Sequence, residues 1–136
     1  MKILMLCIAM GAFFFGPTNS ITPEELETLI KYSRDCRGET GATIEQVTMA
    51  VAGIFVDDPK LKTQFFCISK KLGFQNEEGE IKLEPLKKRV NGILNDAKKT
   101  DEILEKCAVK KSTPDDTAYD ALKCFLEHGK INLLTA

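Results

Sequence analysis

Four cysteines, Cys36, Cys67, Cys107 and Cys124, with 30, 39 and 16 residues between neighbours, constrain this chain more than any other feature. What they mean depends on compartment, and the first twenty residues speak to that. Lys2 is the only charge there, and Ile3 to Phe15 is an almost unbroken apolar run of 13 residues. Gly16-Pro17 breaks the run, and Thr18-Asn19-Ser20 closes it with small residues at the outer positions. That is the layout of a secretory signal peptide. A bilayer core needs about 20 apolar residues, so membrane insertion is not expected. Cleavage after Ser20 removes Cys7 and leaves a mature domain over 21–136, 116 residues long. An even number of cysteines in a short secreted chain reads as two disulfides. Zinc sites want cysteines two to four apart or cysteines with histidines, and His128 is the only histidine, so no metal is expected.

Between the cysteines the apolar residues repeat at helical spacing. Thr22-Pro23 with Glu25 reads as a capped start, and Leu26, Leu29, Ile30, Ser33 and Cys36 form one stripe, so a helix is expected from about 23 to 37 with Gly38 and Gly41 ending it. Thr43 with Gln46 opens a second helix presenting Val47, Ala50, Val51 and Ile54. Asp57-Asp58-Pro59 opens a third, with Leu61, Phe65, Ile68 and Leu72 inside and Gly73 as its stop. A fourth is expected from Leu83 or Pro85 to Asp96, a fifth from Thr100, and a sixth from Thr113-Pro114 to Gly129. No alternating β-branched run competes with these. Linkers are short, so the reading is one all-α domain of about six helices.

Four cysteines allow three pairings, and spacing alone does not choose among them. The helix positions favour the nearer partners, Cys36 with Cys67 and Cys107 with Cys124. Each bridge would contribute about 3–4 kcal/mol by the chain-entropy argument.

Several functions are disfavoured. With Lys2 gone, 18 basic and 20 acidic side chains leave a formal charge of −2, which attracts neither nucleic acid nor anionic lipid. The runs Lys87-Lys88-Arg89 and Lys110-Lys111 sit among acids and read as solvated helix faces. There is no N-glycosylation sequon, no Gly-x-Ser-x-Gly elbow and no phosphate-binding loop. One histidine gives acid–base chemistry no partner group. An enzyme is not expected, nor a cofactor.

The leader, the length, the capped helices and the 30-39-16 cysteine spacing together resemble the insect odorant-binding protein family, over the whole mature chain. Six cysteines are usual there, the second four positions before the third and the fifth nine before the sixth. Those places hold Thr63 and Asp115 here, so both partners of one bridge are missing together, as in the four-cysteine branch called minus-C. The resemblance implies Cys36–Cys67 and Cys107–Cys124 pairing and six helices around an apolar cavity for small hydrophobic ligands: odorants, pheromones or related lipophilic molecules. It also implies a secreted carrier in sensillar lymph, hemolymph or gland fluid, a monomer or weak homodimer, with an odorant receptor as a conceivable partner.

Leu29, Phe55, Phe65, Phe74, Val90, Leu94, Leu104, Leu122 and Phe125 are the candidate pocket wall, against the plainer reading that each is ordinary core. Tyr32, Ser69 and Tyr119 are candidate polar anchors, although such hydroxyls more often bond to backbone. His128 fits an exposed helix C-terminus better than a pH trigger. The tail Ile131–Ala136, with Ile131, Leu133 and Leu134, is expected to dock over the pocket. The rival reading is a signalling, gland or hemolymph protein with a solid core, acting through its surface.

Overall fold

A computed structural model describes residues 22–129; the expected signal peptide and the tail 131–136 lie outside them. Six α-helices follow in order: α1 Pro23–Thr40, α2 Ile44–Val51, α3 Pro59–Leu72, α4 Leu83–Leu94, α5 Ala97–Cys107 and α6 Pro114–His128. The fold is all-α. The starts are set by side-chain caps that take the otherwise unpaired first-turn N–H groups. Thr22 accepts from the Glu25 amide, Asp58 from Lys60, Asp96 from Lys99 and Thr113 from Asp116. Thr43 and Gln46 cap each other's backbone reciprocally at α2. Proline stands in the first turn of α1, α3 and α6, where its missing N–H has no cost.

Four sequence expectations need correction. Gly38 does not end α1; the helix runs to Thr40 and stops at Gly41, whose positive φ of 77° closes the last turn. Helix α4 stops at Leu94, not Asp96, because Asn95 takes the left-handed conformation (φ 51°) and Asp96 then caps the next helix. Helix α5 accordingly starts at Ala97, and Thr100 is a fully buried interior residue whose hydroxyl donates to the Asp96 carbonyl at 2.8 Å. The stripe of α1 is only partly used: Cys36 is buried, whereas Leu26 and Ile30 are 46% and 56% exposed.

Packing runs through α3 and α6. Helix α3 lies between α1 and α6, α6 also packs on α5, and α5 on α4. Cys36–Cys67 ties α1 to α3 with Cα atoms 5.9 Å apart. Cys107–Cys124 ties α5 to α6 with Cα atoms 5.4 Å apart. Each disulfide joins helices already in contact, leaving the α3–α6 interface to noncovalent forces. Glu25, free of any reciprocal cap, pairs with Arg89 at 2.6 Å and links the first turn of α1 to α4.

Between α3 and α4 the chain makes a tight turn. Gln75 and Ile81 form an isolated antiparallel bridge. Gly79 (φ 83°) presses on the start of α6: a Cβ there would lie 2.4 Å from Pro114 Cβ, so only glycine fits.

Candidate functional site

The apolar interior forms two clusters that share α6. On one side Ala50, Leu61, Phe65, Ala118 and Tyr119 are buried together, with Val47, Phe55, Phe66 and Leu122 packed around them. On the other side Leu86, Val90, Ile103, Leu104, Cys107 and Phe125 are buried, with Phe74, Ile81 and Leu94 among their neighbours. The division runs along the helix. Residues 118, 122 and 125 share one face of α6, and the first cluster takes 118, 119 and 122 while the second takes 121, 124 and 125 nearer the C-terminal end.

The candidate wall residues distribute over both clusters. Phe55, Phe65 and Leu122 fall in the first; Phe74, Val90, Leu94, Leu104 and Phe125 fall in the second. Leu29 is half-buried on α1 and belongs to neither. Three rings dominate the first cluster. Phe55 meets Tyr119 edge-on with centroids 5.4 Å apart, and Phe65 lies 6.2 Å from Phe55 and 6.4 Å from Tyr119. These are favourable aromatic geometries. A separate cleft of about 310 Å³ opens to solvent between α4 and α5, lined by Leu83, Lys87, Asp101, Leu104, Glu105 and Ala108. Of the candidate wall only Leu104 reaches it, and Lys87 and Asp101 on its lining pair at 3.1 Å.

The three candidate anchors have different settings. Tyr119 donates its hydroxyl proton to the Val56 carbonyl at 3.0 Å, pinning the segment between α2 and α3 over the aromatic cluster. Burial pushes its phenol above the ordinary tyrosine range, so it stays a neutral donor. Tyr32 is half-buried on α1 with the Lys71 ammonium 5.8 Å from its ring centre. Ser69 is half-buried on α3, where its carbonyl accepts from the Phe74 amide. His128 is exposed at the last residue of α6.

Thr63 and Asp115, the positions singled out as lacking cysteine, meet across the α3–α6 interface. Thr63 Oγ1 donates to Asp115 Oδ2 at 2.8 Å. Beside them Lys62 bridges Asp116 at 3.0 Å and Asp57 at 3.1 Å. The hydrogen bond from Lys62, then that from Thr113, holds the Asp116 carboxyl below the ordinary carboxylate range. The same contacts to Asp116 and Asp57 hold the Lys62 ammonium well above the ordinary lysine range. Hydrogen bonds and ion pairs thus occupy the place of a third bridge.

Two buried glutamines escaped the sequence reading, because nothing local distinguishes a buried glutamine from a solvated one. Gln64, fully buried, donates to the Ser33 carbonyl and accepts from Thr40, both at 2.8 Å. Gln75, 5% exposed, donates from Nε2 to the carbonyls of Gly79 and Pro114 at 3.0 and 3.4 Å. Among the described residues no cluster of acidic, histidine or cysteine side chains is arranged to hold a metal, and no helix is long and apolar enough to cross a membrane.

With this geometry in view, residues 18–128 match the PBP/GOBP family. The chain belongs to that family. The insect odorant-binding resemblance therefore holds at family level. The B1 protein of Tenebrio molitor is 40% identical over 108 residues, covering 79% of this chain and 83% of the relative. General odorant-binding protein 19d of Drosophila melanogaster is 27% identical over 135 residues, covering 93% and 90%. Among solved structures, the THP12 carrier protein from the yellow meal worm is 38% identical with a TM-score of 0.57, covering 68% of this chain and 85% of that one. By its PBP/GOBP membership the chain is a small ligand-binding carrier, of a kind named for binding and not for catalysis.

Proposed function

We propose that this PBP/GOBP chain is secreted, loses residues 1–20, and carries a small hydrophobic ligand, an odorant, pheromone or related lipophilic molecule, among its helices. The observation that carries the reading is the apolar character of the interior flanking α6. No charged side chain among the described residues is buried, and Tyr119, the one residue of the two clusters with a side-chain hydroxyl, turns that hydroxyl to backbone. An apolar molecule entering such surroundings leaves no charge stripped of water. The carrier name of the 38% identical THP12 protein supports the same reading. Phe55, Phe65 and Leu122 on one side, and Phe74, Val90, Leu94, Leu104 and Phe125 on the other, are the proposed contact residues. The four cysteines left after that cleavage support assignment to the minus-C branch.

The test is uptake of a fluorescent apolar probe, N-phenyl-1-naphthylamine, by the protein purified from culture medium. A carrier enhances the emission at micromolar probe and loses the enhancement when medium-chain alcohols or terpenes compete. No uptake, and an N-terminus still at Met1 in cell-retained protein, would sink both halves of the proposal. That result would favour a solid-core protein acting through its surface.

A further inference from the structure

Buried polar side chains are normally paired, so each exception asks for an explanation. Among the described residues Gln64, Thr100, Thr117 and Tyr119 all have partners. Thr117 donates to the Thr113 carbonyl and accepts from the Lys111 amide, both at 2.9 Å. The Arg89 nitrogen that makes no aligned hydrogen bond lies against the Glu25 carboxylate. Among the described residues Gln75 Oε1 alone is buried with neither a hydrogen bond nor an ion partner.

Its orientation is determined by its neighbours. Nε2 faces two carbonyl oxygens, those of Gly79 and Pro114. Exchanging the amide's nitrogen and oxygen would set an acceptor against both, so the free atom is the oxygen. The side chain is also fixed in place. The bridge to Ile81 and the close approach of Gly79 to Pro114 hold the turn against the start of α6. Phe74, the preceding residue, and Ile81 both pack on the second apolar cluster. A buried, unpaired acceptor is therefore carried on the residue that follows Phe74 and bridges Ile81, two neighbours of the second apolar cluster.

We infer that Gln75 Oε1 is the acceptor for a hydroxyl on the ligand, so that the preferred cargo is an apolar alcohol or phenol. This rests on the carrier reading. An aldehyde or ester offers only acceptors and gains nothing there. A carboxylate would face a bare oxygen, with the Gln75 amide N–H groups already given to the Gly79 and Pro114 carbonyls. A donor hydroxyl satisfies the oxygen and itself together.

The experiment displaces N-phenyl-1-naphthylamine with decan-1-ol, decanal and decanoic acid, which share one chain length. Decanol should compete about tenfold more tightly than decanal, the size of one net hydrogen bond. In Gln75→Met the alcohol and aldehyde should converge to within about twofold, with decanal unchanged, in protein whose melting curve confirms folding. Should that variant not fold, the wild-type ranking decides alone. Equal competition by alcohol and aldehyde, or a preference that survives in Gln75→Met, overturns the assignment and leaves a fixed water as the partner of Oε1. Probe uptake with no alcohol preference sinks this inference only; no uptake at all sinks the carrier reading with it.

Discussion

Restoring a covalent link between α3 and α6 tests the packing most directly. Thr63 Oγ1 and Asp115 Oδ2 touch at 2.8 Å, so Thr63→Cys with Asp115→Cys should oxidise to a third disulfide. The existing bridges offer no shorter path between these positions, and the loop to be closed spans a sequence separation of 52. The chain-entropy relation gives about 4 kcal/mol for a loop of that length. Losing the Thr63–Asp115 hydrogen bond costs about 1 kcal/mol. Losing an acid from the first turn of α6 costs about 0.5 kcal/mol. Some closing of the helices offsets a little more, because an aspartate reaches one atom further than a cysteine. The net gain is about 2 kcal/mol, a rise in Tm of about 8 °C for a domain of this size. Intact mass and thiol titration report the bond, and calorimetry against Thr63→Ser with Asp115→Ser reports its effect. Thiols that stay reduced would refute the apposition of α3 and α6. A bond that forms without raising Tm would refute the entropic argument.

Removing Cys107–Cys124 with paired serines should destabilise the protein by about 3 kcal/mol, the value for a loop of its length, read as a lower urea midpoint. Gly79→Ala should lower Tm by several degrees, since its Cβ would meet Pro114 at 2.4 Å and φ is positive, whereas Gly38→Ala, inside α1 with no atom within 4 Å, should raise stability by about 0.5–1 kcal/mol. Asp116 and Asp58 have folded-state carboxyl affinities below their unfolded ones, so their contribution is present above about pH 4 and lost as pH falls through the folded values. Lys62 is shifted the opposite way and loses its contribution only above about pH 10. Urea midpoints should therefore fall as pH drops below about 4, and Asp116→Asn should flatten part of that fall; an unchanged slope would count against the Lys62–Asp116 pair.

What the sequence determined by itself is local. Caps at Thr22, Thr43, Asp58 and Thr113, stops at Gly41 and Gly73, and the helical repeat of apolar residues depend on neighbours within a turn, so six helices were legible. The errors were local competitions between plausible signals: Thr100 looked like a cap because Asp96, four residues earlier, was equally able to serve as one. Tertiary structure decided everything that depends on which faces meet. It placed Thr63 against Asp115, divided the candidate wall into two clusters along α6, left Leu29 outside both, and turned Tyr119 towards Val56. It also buried Gln75 with one oxygen unpaired. Burial and hydrogen-bond pairing between segments far apart in sequence arise only once the helices have packed, so no pattern along the chain could display them.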